Sequence, residues 1–102
     1  MDVEQVRKQL AQLPGWELKE QQAEAEPGGA DFILQREFRF SDFAEAIHFV
    51  NRVAEVAQKL NHHPDLAVKY DRVTITLWSH DSRCVTERDL HLALHIQQLG
   101  DT

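Results

Sequence analysis

The stretch SDFAEAIHFVNRVAEVAQKLNHHPD, residues 41–65, holds the longest helical pattern of the chain and the point at which that pattern must stop. Asp42, with a glutamate three residues later, predicts a capped helix start. Proline disfavours helical geometry in the residue before it, so the helix is expected to end near His62 or His63, in front of Pro64. The sequence thus predicts a long amphipathic helix with two adjacent imidazoles at its end.

Two apolar stripes run along this helix. The first consists of Phe43, Ile47, Val50, Ala54, Ala57 and Leu60, and the second of Phe49, Val53, Val56 and Leu60. One stripe is enough to cover a sheet, and the first is predicted to do so. The second indicates burial on another side, so the chain is expected to form a homodimer or homotetramer through the helix of residues 42–60 or through a sheet edge.

Two helical patterns lie at the ends of the chain. Residues 2–13 predict a short amphipathic helix with Asp2 as its N-cap. The sequence TERDLHLALHIQQL, residues 86–99, predicts a last helix with Thr86 as N-cap and Asp89 at the third helical position. Gly100 is expected to close it.

The segments between the helices predict strands. GWELKE favours a short strand, followed by QQAEAEPGGAD (21–31) as a polar, flexible connection. Residues 31–40 and 66–78 alternate as half-buried strands, with Asp71-Arg72 as a hairpin turn or a bulge and Arg36 interpreted as an edge residue on the apolar face. The order α-β-β-α-β-β-α predicts one α+β, two-layer domain over residues 1–102: a four-stranded antiparallel sheet with helices packed on one face.

Composition excludes several classes of function. The net charge is −6 with histidine neutral, and no run of lysine or arginine is present, so neither nucleic acid nor an anionic membrane is an expected partner. No apolar stretch approaches the length of a membrane span, and no signal peptide is visible. Cys84 is the only cysteine, which fits a reducing compartment. The protein is predicted to be cytoplasmic.

The histidine pair can be explained in two ways. An imidazole at a helix C-terminus can exchange a proton near neutral pH, as acid–base catalysis requires, or it can simply cap carbonyl groups. Gln58 lies four residues before His62 on the same predicted helix face, and His80 ends the last predicted strand. If the helix and that strand end at the same edge of the domain, three imidazoles could converge there.

Other polar and aromatic residues have simpler explanations. Asp89 is accounted for as a capping residue, and His48, Trp16 and Trp78 as surface or packing residues. His91 and His95 form an H-x-x-x-H pair, which can bind a metal. Because no glutamate follows the first of them and no third ligand is near in sequence, no metal site is predicted.

Taken together, the motif residues resemble the pterin-4a-carbinolamine dehydratase family. The resemblance rests on HHP at residues 62–64, Tyr70, TITLWSH ending at His80, and TERDL with Asp89. GWEL, FRFSDFAEAIHFVNRVAEVAQKLNHHPD and YDRVTITLWSHD follow the family's segment order, so the likeness covers most of the chain from Trp16 onward.

The resemblance implies a reaction and a site. The family removes water from 4a-hydroxytetrahydropterin to give quinonoid dihydropterin, which regenerates the cofactor of aromatic amino acid hydroxylases, and it uses no metal or organic cofactor. By this likeness His62 and His80 are the general acid/base candidates and His63 holds the pterin. Backbone groups near Ser79 would bind the amide-like edge of the pterin, and Asp89 supports the site.

One departure from the family pattern bears on activity. The family usually carries an acidic residue four positions before the first histidine, whereas this chain has Gln58, a neutral amide. Gln58 is expected to contact the substrate or its histidine without supplying charge. The alternative is therefore a pterin-binding or protein-binding module on the same fold, with weak or no catalysis.

Overall fold

The computed structural model describes residues 3–20, 32–79 and 84–100. The predicted N-cap Asp2, the predicted connection at 21–31 and His80 lie outside the described residues. The elements are α1 (Val3–Gln9), a 3-10 turn (Leu10–Gln12), β1 (Glu17–Glu20), β2 (Phe32–Arg39), α2 (Phe43–Leu60), β3 (Asp65–Lys69), β4 (Arg72–Leu77) and α3 (Glu87–Gly100). This order confirms the predicted α+β class.

The four strands form one antiparallel sheet in the order β1-β2-β4-β3, so β2 and β4 are the inner strands. Leu34 pairs with Leu77 and Phe38 with Val73, which puts these four side chains on one face of the sheet. All four are buried, in a single core to which the helices contribute residues such as Val53. The sheet and the helices are therefore the two layers that the sequence predicts.

The phase of α2 differs from the prediction. Its buried residues are Ala46, Phe49, Val53 and Ala57, so the helix turns the second stripe inward, together with Ala57 of the first. The Phe49 ring lies 4.8 Å from the Phe38 ring and 4.9 Å from the Phe40 ring, centroid to centroid, and this aromatic contact sets the rotation of the helix. Phe43 at the start of the first stripe is 51% exposed, and self-association through this helix or a sheet edge stays a prediction.

Two smaller predictions about the strands are also corrected. The β3–β4 hairpin has a two-residue loop of Tyr70 and Asp71, one residue earlier than predicted, with Tyr70 in the left-handed region at φ 56°. Arg36 is not at a sheet edge, because β2 is an inner strand. Its guanidinium carbon lies 4.2 Å from the centroid of the Phe38 ring, so a cation–π contact accounts for an arginine on the apolar face.

Gly100 is the last helical residue of α3, and it packs directly on the sheet. A Cβ at this position would lie 2.8 Å from Cδ1 of Phe38 and closer still to Cε1. We expect Gly100→Ala to lower the free energy of unfolding by about 1–2 kcal/mol, because a buried ring must move to make room. Urea unfolding measures this, and a variant as stable as wild type would show that the end of α3 does not press on Phe38.

No helix of the described residues is long and apolar enough to cross a membrane.

Candidate active site

The end of α2 determines where the two histidines point. The helix ends at Leu60, slightly earlier than predicted, and Asn61 takes the left-handed conformation with φ 51°. The Asn61 N–H donates to the carbonyl of Gln58 at 3.2 Å, and the His62 N–H donates to that of Ala57 at 3.1 Å. This is the Schellman arrangement, which satisfies the last carbonyl groups with backbone donors. The imidazoles are therefore not needed as caps.

His62 turns into the protein and meets a buried carboxylate. Its Nε2 lies 2.5 Å from Oδ1 of Asp89, although the two residues are 27 positions apart in sequence. His62 is 9% exposed and Asp89 is fully buried. A buried carboxylate is stable only when hydrogen-bond donors surround it. Removing either member of this pair is therefore expected to lower the stability of the fold.

Two more donors complete the surroundings of Asp89. The Thr86 backbone N–H donates to Oδ2 at 2.8 Å, and the Ser79 hydroxyl donates to the same oxygen at 2.9 Å. The first of these is the capping contact that the sequence predicts at the start of α3. Asp89 thus serves both as the capping residue and as the partner of His62.

His63 has a different environment. It is exposed, and its Nε2 lies 3.1 Å from Oε1 of Gln58. The sequence suggests that Gln58 faces His62, since the two are four residues apart, but the left-handed Asn61 ends that periodicity and brings His63 over the amide instead. The position where the family usually has an acid therefore acts on the exposed imidazole.

The other predicted site residues are placed only in part. The Ser79 N–H donates to the carbonyl of Cys84 at 2.9 Å, and the Ser79 side chain is fully buried against Asp89. The Ser79 N–H and hydroxyl are thus engaged within the protein, and a pterin contact by backbone groups near Ser79 stays a prediction. His80, the next residue, lies outside the described part of the chain, so its approach to His62 stays a prediction.

Trp78 does more than pack. Its indole Nε1 donates to Oδ2 of Asp65 at 3.3 Å. Asp65 directly follows Pro64 and begins β3. The histidine pair is therefore held from both sides, by the Schellman turn before it and by this contact after it, a role of Trp78 that the sequence did not suggest.

The other histidine pair lies on α3. The rings of His91 and His95 touch edge to face, 4.6 Å between centroids, and Nδ1 of His95 lies 3.0 Å from the backbone oxygen of His91. Among residues 3–20, 32–79 and 84–100, no group of three histidine, cysteine or acidic side chains is arranged to hold a metal ion. Trp16 is 5% exposed and packs in the core, as predicted.

The chain is similar to a known protein family over almost its whole length. Residues 1–99 match the family model described as pterin 4 alpha carbinolamine dehydratase. A protein of Thermomicrobium roseum, provisionally named a pterin-4-alpha-carbinolamine dehydratase, is 41% identical over 91 residues, which is 89% of this chain and 86% of the relative.

Solved structures agree with this match. The transcriptional coactivator/pterin dehydratase of Brucella melitensis superimposes with a TM-score of 0.80 at 30% identity, over 98% of this chain and 97% of that one. A pterin dehydratase-like protein identified as a RuBisCO assembly factor in the alpha-carboxysome gives a TM-score of 0.66 at 19% identity, over 86% and 92% of the two chains, which shows the fold alone. On the strength of the family match and these relatives, the chain belongs to the pterin-4-alpha-carbinolamine dehydratase family.

Proposed function

We propose that this protein dehydrates 4a-hydroxytetrahydropterin to quinonoid dihydropterin by histidine acid–base catalysis. The observation that carries the proposal is the buried contact of His62 with Asp89, next to the exposed His63. A catalytic imidazole needs a fixed orientation and a fixed partner for one of its nitrogens, and the buried carboxylate can supply both.

The reaction requires two proton movements. A proton must reach the 4a-hydroxyl oxygen so that the C–O bond breaks and water leaves, and a proton must leave a ring nitrogen of the pterin. Each properly placed acid or base contributes about 10²–10⁴-fold to such a step. No electron transfer is involved, and the products together hold every atom of the substrate.

The proposal gives the two nitrogens of His62 different roles. With Asp89 as a carboxylate, which can only accept, the proton of the neutral imidazole lies on Nε2, 2.5 Å from Oδ1. Nδ1 is then the nitrogen that gives or takes a proton at the pterin. In this proposal His63 holds the pterin through its exposed ring, and His80 supplies the second acid/base group, as the family resemblance implies.

The resting state of His63 depends on Gln58. An amide oxygen accepts a hydrogen bond from Nε2 but supplies no net charge. We expect Gln58→Glu to raise kcat by about two- to fivefold, because an exposed charge pair contributes only ~0.2–1 kcal/mol. Initial rates of dehydration measure this effect. Gln98→Glu makes the same charge change on the exposed side of α3 and should leave kcat unchanged.

The second candidate is a pterin-binding or protein-binding module on this fold. The neutral Gln58 beside His63 is the observation that favours it. The two functions separate in a paired experiment, in which turnover of 4a-hydroxytetrahydropterin is compared with binding of unreactive 7,8-dihydropterin by calorimetry. Turnover above the spontaneous rate supports the enzyme. Absence of turnover in both wild type and Gln58→Glu refutes the enzyme and leaves the module.

A further inference from the structure

Two hydroxyl groups lie beside Asp89 and bond to each other. The Ser79 and Thr86 oxygens are 2.7 Å apart, and Ser79 Oγ is also 2.9 Å from Oδ2 of Asp89. Thr86 Oγ1 is 3.4 Å from the same carboxylate oxygen, which is a weaker contact. The cluster thus joins Ser79, two residues after β4, Thr86, the residue before α3, and the carboxylate partner of His62.

The number of protons fixes the direction of these bonds. Each hydroxyl has one proton, and an ionised carboxylate has none to give. Since Ser79 donates its proton to Asp89, the 2.7 Å contact must use the proton of Thr86. The chain of donors therefore runs from Thr86 to Ser79 to Asp89, and the His62 Nε2–H meets the carboxylate from the other side.

We propose that Ser79 and Thr86 are positioning residues for His62. The Ser79 hydroxyl and the Thr86 N–H occupy Oδ2 of Asp89, and the Thr86 hydroxyl orients that of Ser79, so Oδ1 is left aimed at Nε2 of His62. The cluster holds His62 in the Nε2–H tautomer with Nδ1 presented to the ligand. Its kinetic consequence rests on the proposed dehydratase function, whereas its effect on the His62 tautomer does not.

The location of the two hydroxyls fits this role. Ser79 is fully buried, so its proton has no competing use in solvent. Ser79 and Cys84 form an isolated antiparallel bridge, and Thr86, two residues later, directly precedes α3. Ser79 and Thr86, which lie before and after the predicted catalytic His80 in sequence, therefore bond the same carboxylate as His62.

The test removes the Thr86 hydroxyl and then restores it. Thr86→Val keeps the side-chain shape and the backbone N–H that Asp89 accepts, whereas Thr86→Ser keeps the hydroxyl. Thr76→Val is the matched control, because the part-buried Thr76 hydroxyl bonds Gln35 and not this cluster. The two readouts are the ¹⁵N NMR signals of the His62 ring, which report the tautomer, and kcat with KM.

For Thr86→Val we expect a mixture of His62 tautomers and a loss of about tenfold in kcat with KM unchanged, since a charge-assisted contact is loosened and not removed. Thr86→Ser and Thr76→Val should match wild type in both readouts. If Thr86→Val does not fold, Ser79→Ala carries the same expectation.

An unchanged His62 spectrum in a folded hydroxyl-deletion variant would overturn the proposal, whatever the activity. A wild-type protein without turnover but with a shifted spectrum in Thr86→Val would refute the dehydratase function and keep the positioning role.

Discussion

Asp89→Asn is expected to lower the free energy of unfolding by about 3 kcal/mol and to reduce turnover by about 10²–10⁴-fold. This substitution replaces one carboxylate oxygen, a hydrogen-bond acceptor, with an NH₂ group, which is a donor. His62, Ser79 and the Thr86 N–H all donate to this carboxylate, and none of them can donate to an amide nitrogen. At least one buried donor would be left without an acceptor, or would have to rearrange.

The loss of turnover follows from the tautomer. If the asparagine oxygen stays with Thr86 and Ser79, its NH₂ group faces Nε2 of His62. That nitrogen must then accept, which moves the imidazole proton to Nδ1 and leaves the wrong nitrogen for proton exchange.

Asp42→Asn provides a matched control. Asp42 also accepts a backbone N–H at a helix start, from Glu45 at 2.9 Å, but it is exposed. Asparagine caps helices as well as aspartate does, so we expect a change within about 0.5 kcal/mol. Urea unfolding followed by tryptophan fluorescence compares the two variants. Equal stabilities of Asp89→Asn and Asp42→Asn would show that the buried contacts of Asp89 contribute nothing.

The second large effect separates the two adjacent histidines. His62→Ala leaves Asp89 fully buried without its imidazole partner, and we expect a loss of about 3–5 kcal/mol in the free energy of unfolding. His63 is exposed, and its Nε2 bonds the exposed amide of Gln58, so His63→Ala should change stability by less than about 0.5 kcal/mol.

His63→Ala should have a small effect on stability but a large effect on turnover. Removal of a group that binds the pterin at the site of proton transfer is expected to abolish measurable dehydration in a protein that remains folded. Urea unfolding and initial rates on the same samples measure both quantities. If His62→Ala is as stable as wild type, the buried His62–Asp89 pair does not stabilise the fold. If His63→Ala retains full turnover, the pterin does not bind against His63.

Much of the fold could be predicted because it depends on local patterns. Asp42 caps α2 as expected, and the alternation of β2 and β4 places Leu34 and Leu77 in the core. The phase of α2 could not be predicted, because both stripes are apolar and the contact of Phe49 with the rings of Phe38 and Phe40 selects between them. That contact joins residues whose separation in sequence carries no periodic signal.

The candidate site likewise depends on a contact between residues far apart in sequence. The histidine pair was recognisable from Pro64 and from the family resemblance, but the Asp89–His62 contact spans 27 residues. Because Asp89 was fully explained as a capping residue, nothing in the sequence predicted that it also bonds His62. The prediction that Gln58 faces His62 was wrong, because a single left-handed residue, Asn61, ends the helical spacing on which that prediction relied.

Dehydration of a 4a-hydroxylated pterin by the histidines of this chain is tested most directly by one rate. This is the initial rate of loss of freshly generated 4a-hydroxytetrahydropterin, with wild type and His63→Ala at equal folded concentration. We expect a wild-type rate clearly above the spontaneous one and a His63→Ala rate indistinguishable from it. A wild-type rate equal to the spontaneous one would refute the proposed dehydratase function.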